Sequence, residues 1–102
     1  RENSQGWLEN AYNLRIINKS EHEQTVTATV KGFDDIALTG LPENGIKIAP
    51  RETVTIPVQV STLPEYAEKG SQPIEFTFTY RETDAADAEP TVLNEKATFI
   101  GE

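Results

Sequence analysis

This 102-residue chain has no cysteine and no methionine, and only one histidine and one tryptophan. Without thiols it can form no disulfide, supply no thiolate to a metal or cluster, and offer no cysteine nucleophile. One imidazole and no thioether leave a soft metal such as Cu(I) essentially no ligand set, and zinc lacks its usual ligand spacing. Positive charge is also scarce. Nine Lys and Arg stand against 17 Asp and Glu, a formal net charge of −8. That balance argues against nucleic acid and anionic membrane surfaces, which carry the same sign. No run approaches the roughly 20 apolar residues of a spanning helix, so no direct membrane insertion of this chain is expected. No signal-peptide pattern is visible. The six glycines are scattered, and none builds a phosphate-cradling loop.

What is present is alternation. Tyr12, Leu14 and Ile16 alternate with polar Asn13 and Arg15; Val26, Ala28 and Val30 alternate with threonines. Val54, Ile56, Val58 and Val60 share one parity, as do Ile74, Phe76, Phe78 and Tyr80. Period two means strands with one buried and one wet face, and the abundance of Val and Thr suits a pleated surface. Shorter runs at 36–39 and 45–48 and a run from Asn94 to Ile100 bring the total to about seven strands, the pattern of an all-β, immunoglobulin-like antiparallel sandwich. The length fits one domain, residues 1–102. The expected core is Leu14, Ile16, Val26, Ala28, Val30, Leu38, Val54, Ile56, Val58, Phe76, Phe78 and Phe99.

Turn chemistry separates the runs. Asn18-Lys19-Ser20 closes the first strand, Pro42 to Gly45 ends in Asn-Gly, and Pro50 presets φ for a tight turn. Residues 61–72 read as a long connection with a helical turn near Glu65 to Glu68. Residues 81–91 read as a mobile acidic hairpin loop. Pro57 lies inside the strongest strand. It cannot donate to a ladder, so that strand is expected at an edge, or with the Pro57 position facing away from any neighbour.

Candidate chemistry is thin. His22 is the sole imidazole, and Ser4, Ser20, Ser61 and Ser71 lack a nucleophile-elbow context. Asp34, Asp35, Asp84, Asp87 and Glu89 could supply oxygens to Ca²⁺, but no D-x-D-x-D-G run frames them, and acidic loops also discourage edge-to-edge pairing. Asn18-Lys19-Ser20 fits a glycosylation acceptor and equally a turn. Trp7 and Tyr12 either stack on a ligand or pack at the end of the core, and Tyr66 could form a tyrosine corner. The residues themselves assign no catalytic, cofactor or metal site. Trp7, Pro57, Tyr66, Asp84 and Asp87 mark the candidate interaction surface.

The opening stretch carries a more specific signal. Arg1, Glu2, Asn3, Gly6, Leu8, Asn10, Tyr12, Leu14, Ile16 and Asn18, followed by Gly32-Phe33, Pro50 to Glu52 and "TVTIPVQV", resemble the C-terminal immunoglobulin-like domain of the FixG/CcoG family, the cytochrome c oxidase accessory proteins. The resemblance implies a membrane-anchored parent with several spanning helices and a segment holding iron–sulfur clusters. It implies a role in assembling the cbb-type oxidase and handling copper. This domain would sit on the periplasmic face of the bacterial inner membrane, with residues 1–7 as a linker from a preceding membrane segment. Cluster-binding cysteines belong to the family's upstream part and none occurs here, so no redox residue transfers to this chain. The expectation is a non-enzymatic module that holds no cofactor itself and docks protein partners in oxidase assembly. The rival readings are a stand-alone periplasmic or extracellular sandwich that binds carbohydrate or protein, and a hydrolase or Ca²⁺-binding module.

Parity makes one direct prediction. Phe78→Ala should cost about 3–5 kcal/mol in denaturant unfolding; a loss below about 1 kcal/mol would put Phe78 on the wet face.

Overall fold

A computed structural model describes residues 2–3, 5–67, 70–85 and 87–101. Seven strands form two antiparallel sheets: β1 (Leu8–Ile17), β2 (Gln24–Lys31), β3 (Ala37–Thr39), β4 (Ile46–Ile48), β5 (Thr53–Thr62), β6 (Gly70–Glu82) and β7 (Thr91–Gly101). The sheet orders are β1-β5-β3 and β4-β2-β6-β7. The chain changes sheet at every connection up to β6, and only the β6–β7 hairpin stays within one. This is the all-β, immunoglobulin-like sandwich that the alternation predicts. One 3₁₀ turn, Pro64–Tyr66, follows β5 where the helical turn is expected; Glu68 lies outside the described residues, as do Arg1 and Ser4, and Ala86 of the acidic loop.

The core lies between the sheets. Leu8, Leu14, Ile16, Val26, Ile48, Val58, Val60, Ile74, Phe76, Phe78, Tyr80 and Phe99 are buried. Ala28, Val30, Leu38, Val54 and Ile56 pack on this cluster at its margins, so every residue of the expected core faces inward. Aromatic pairs knit it: Phe76 stacks on Phe78 at 6.4 Å, Tyr12 meets Phe76 edge-on at 5.5 Å, and Phe33 meets Phe99 edge-on at 5.2 Å. Such pairs are worth about 0.5–1.5 kcal/mol beyond area burial.

Pro57 corrects part of the expectation. β5 is the central strand of its sheet, not an edge. The β3 ladder, however, stops at Thr39↔Gln59, while β1 runs on past Asn13↔Pro57. The Pro57 carbonyl faces Gly40, where a Cβ would come within 2.8 Å of it. The missing N–H therefore falls just beyond the end of β3, and no ladder bond is lost. The central strand tolerates Pro because its neighbour is three residues long.

Two turns use left-handed backbone. Pro42 to Gly45 closes with the Gly45 N–H donating to the Pro42 carbonyl at 2.9 Å, and Gly45 has φ +84°. In the Ala49 to Glu52 turn the Glu52 N–H donates to the Ala49 carbonyl, with Pro50 second and Arg51 third at φ +64°. That is type II geometry, in which the third position favours glycine. Arg51 occupies it and pairs with Glu21.

Gly45 and Gly70 separate torsional from steric cost. Both have positive φ, but a Cβ on Gly70 meets nothing within 4 Å, whereas one on Gly45 would lie 2.7 Å from the Val26 carbonyl oxygen. Gly70→Ala should cost about 1 kcal/mol from backbone conformation alone. Gly45→Ala should cost at least about 2 kcal/mol, because backbone must also move. Urea melts of the two variants check this, and equal costs would refute the close approach.

Candidate interaction surface

Strand β1 carries the motif, and its even-numbered residues all look into the sandwich. Leu14 and Ile16 fill the core. The polar members of the same face reach across to the other sheet. Asn10 Nδ2 donates to the Ile100 carbonyl at 3.0 Å, and the Ile100 N–H donates to Asn10 Oδ1 at 2.9 Å. The Tyr12 hydroxyl donates to the Thr98 carbonyl at 2.7 Å. β1 and β7 are edge strands of different sheets, so these bonds close one side of the sandwich with side chains where no backbone ladder runs. Partial burial raises the Tyr12 phenol above its usual pKa and keeps it a neutral donor.

Asn18 ends the row and is fully buried. Its amide hydrogens are shared among the carbonyls of His22 (2.8 Å), Ile48 (3.0 Å) and Ala49 (3.0 Å). Its Oδ1 accepts the Ser20 N–H at 3.0 Å, and its own N–H donates to the Glu52 carbonyl at 2.9 Å. One side chain thus ties the end of β1 to the β1–β2 turn and to the end of β4. The glycosylation motif is read by this fold as a turn, since the acceptor nitrogen is both buried and bonded.

The same contacts place the sole histidine. The His22 N–H donates to Ser20 Oγ at 3.2 Å, and that Oγ lies 2.8 Å from the His22 carbonyl oxygen. The serine is engaged with main chain and with Asn18, so its contacts are those of a turn and not of a nucleophile–base pair. Among the described residues no group of three or more Asp, Glu or His is arranged to hold a metal ion. A cysteine-free chain supplies none of the thiolates an iron–sulfur cluster uses. No helix of the described residues is long and apolar enough to cross a membrane.

The structure scatters the five candidate surface residues. Trp7 precedes β1 and is half-buried; its N–H donates to Asn3 Oδ1 and its carbonyl accepts the Asn3 N–H, closing a small turn. Tyr66, at the same end of the sandwich, is exposed on the 3₁₀ turn beside a depression of about 800 Å³ that Lys31, Phe33, Asp34 and Gln72 also line. The carboxylate of Asp35, then that of Glu65, raises the phenol of exposed Tyr66, a setting unlike that of a tyrosine corner, whose hydroxyl bonds backbone. Pro57 is exposed midway along β5. Asp84 and Asp87 are exposed on the β6–β7 loop at the opposite end. No single surface unites the five.

Sequence reasoning missed a cleft on the open side of the sandwich. From the Asn10–Ile100 contact, β1 and β7 diverge, and a space of about 610 Å³ opens between them, lined by Arg15, Ile17, Lys19, Tyr80, Leu93 and Glu95 among others. Ile17 is 38% exposed, Leu93 50% and, on the outer face, Val92 51%. Tyr80 lies at its floor, its phenol raised by burial and then by Glu95. The available signal was Thr91-Val92-Leu93, a short apolar β-prone run directly after the acidic loop.

The family model described as "IG-like fold at C-terminal of FixG" matches residues 1–102. The chain belongs to this FixG C-terminal family. FixG itself carries a provisional description as an oxidoreductase. Among solved structures, a FixG-related protein from Vibrio parahaemolyticus is similar in fold, with a TM-score of 0.72 and 22% identity over 96% of this chain and 83% of that one. No curated protein matches. The hydrogen bonds give the β1 residues a physical meaning. Asn10, Tyr12, Leu14, Ile16 and Asn18 form the inward face that fastens the two sheets, and the Pro50 to Glu52 landmark supplies the carbonyl that receives the Asn18 N–H.

Asn18→Ala should cost about 3 kcal/mol, since it strands a buried carbonyl and the Ser20 N–H, each worth about 1–3 kcal/mol. Lys19→Ala, on an exposed neighbour, should stay within about 0.5 kcal/mol. Thermal and urea unfolding check both; an Asn18→Ala loss under about 1 kcal/mol would show that water replaces the side chain.

Proposed function

We propose that this domain is a non-catalytic docking module of a FixG-type membrane protein that takes part in cbb-type oxidase assembly and copper handling. The observation that carries this reading is the use to which the family motif is put. Its polar side chains hold backbone across the sandwich, leaving them no role in turnover. The redox chemistry attributed to such a parent needs thiolate-bound clusters, and this chain has no thiolate to give. A surface offering an edge strand, a cleft and charged loops is suited to protein contact.

In the intact parent the domain would stand on the periplasmic face of the inner membrane. β1 begins and β7 finishes at one end of the sandwich, as Asn10 against Ile100 shows. A chain entering at β1 would put the turns at 18–23 and 49–52 and the β6–β7 loop at the far end, reachable by another protein.

Deleting residues 8–101 from a full-length parent tests the proposal. Cluster signals by electron paramagnetic resonance should persist, while assembled oxidase activity should fall at least about tenfold, as loss of an obligatory contact would demand. Undiminished oxidase activity would overturn a docking role; loss of the cluster signal would place the domain in the redox machinery.

A further inference from the structure

We propose that the cleft between β1 and β7 receives an extended segment of a partner protein, which adds as a strand to the free edge of β7 and brings an acidic side chain to Arg15 and Lys19. This rests on the docking reading and names its site.

The argument begins with ladder parity. β7 pairs with β6 without a bulge from Gly70↔Gly101 to Tyr80↔Thr91. The Ile100 N–H and C=O both point away from β6, because both are bonded to Asn10. Antiparallel backbone repeats that orientation at every second residue. Thr98 follows it, its carbonyl taken by Tyr12. Lys96, Asn94 and Val92 therefore also aim N–H and C=O at the open side. No hydrogen bond among the described residues reaches these backbone groups. The lower edge of β7 is sealed by β1 side chains, and the upper edge is open.

The open part is guarded only over half its length: Glu95 and Lys96 are charged, but Val92 and Leu93 beside them are apolar and exposed. Natural edges are short, charged or covered. β3 and β4 are three residues each. β7 is eleven residues long, and its unsealed half carries Val92 and Leu93, each about half exposed. A strand laid there would set alternate side chains on Leu93, Tyr80 and Ile17. Across the cleft, Arg15 and Lys19 form no ion pair among the described residues, while Lys31 and Arg51 elsewhere do. The cleft also holds the Glu95 carboxylate on the β7 side, so its two cations against one anion leave a net positive charge beside Leu93, Tyr80 and Ile17, which fits a segment with apolar residues and a carboxylate set toward Arg15 and Lys19. A second copy of the chain is disfavoured by a net charge of −8 on each.

Proline provides a clean test, because at an outward position it removes no ladder bond and bars a new strand. The probe is a blocked hexapeptide, Thr-Val-Glu-Val-Thr-Val, titrated into the isotope-labelled chain. Amide signals of Val92, Asn94 and Lys96 should shift and gain exchange protection. Val92→Pro should retain the parent melting curve and weaken binding about tenfold, roughly one lost hydrogen-bonded pair. Arg15→Glu should weaken the same peptide about fivefold and leave a glutamine analogue unaffected. Shifts confined to the depression around Tyr66, or sedimentation showing a dimer that Val92→Pro dissolves, would overturn the proposal. In the full-length parent, Val92→Pro and Arg15→Glu should lower oxidase activity as deletion of the domain does. If deletion acts and these do not, the cleft assignment falls and the docking reading stands; if deletion has no effect, both fall.

Discussion

The sandwich depends on how two sheets that share no backbone ladder are held in one register, and Asn18 is the interaction that fixes it. An apolar interface is indifferent to small sliding, because burial is roughly proportional to area and has no direction. Hydrogen bonds are directional. A fully buried amide that must satisfy carbonyls on β4 and on its own turn, while its N–H meets Glu52, has one placement. Asn10 and Tyr12 repeat the device at the other end of β1. β1 is thus pinned to the opposite sheet at both ends, with Leu14 and Ile16 packed between the pins.

This arrangement explains which features could be read from sequence. Parity is a local property, so the inward faces of β1, β2, β5 and β6 were legible, and every expected core residue packs where its alternation puts it. Five buried hydrophobic residues stand outside the expected core: Val60, Ile74 and Tyr80 share the inward parity already read for β5 and β6, whereas Leu8 and Ile48 each stand at the terminus of a strand, where too few alternating neighbours establish a phase. The position of β5 was not legible. Whether a strand is central depends on which other strands lie beside it, and Pro57 reports only the neighbour at its own position, here the end of three-residue β3. The roles of Asn10 and Asn18 were equally hidden, since an asparagine in a strand or turn looks the same whether it faces water or a distant carbonyl.

The candidate surface was legible in smaller part. Exposed aromatics and acids could be named, but their gathering into a surface depends on the third dimension, and Trp7, Pro57, Tyr66 and the pair Asp84 and Asp87 lie apart. The cleft escaped notice because its making is a divergence of two strands far apart in sequence. Val92 and Leu93 fell between the acidic loop read over 81–91 and the strand read from Asn94, assigned to neither, although they pair with Thr79 and Phe78.

The two halves of β7 show one strand serving opposite requirements. Toward its end, Phe99 is wholly buried and the backbone at Thr98 and Ile100 is bonded by β1 side chains. Toward its start, the same alternation of backbone groups continues with nothing from β1 to meet it, because Arg15 and Ile17 belong to the outward parity of β1 and cannot repeat what Asn10 and Tyr12 do. The open edge therefore follows from the motif itself: side chains that fasten one end of the seam by reaching inward oblige the seam to open once the inward row is handed over to the core at Leu14 and Ile16. A fold closed by a few polar side chains instead of a full ladder leaves solvent-facing backbone without an intramolecular partner on one side, and a strand from another protein is chemically matched to it.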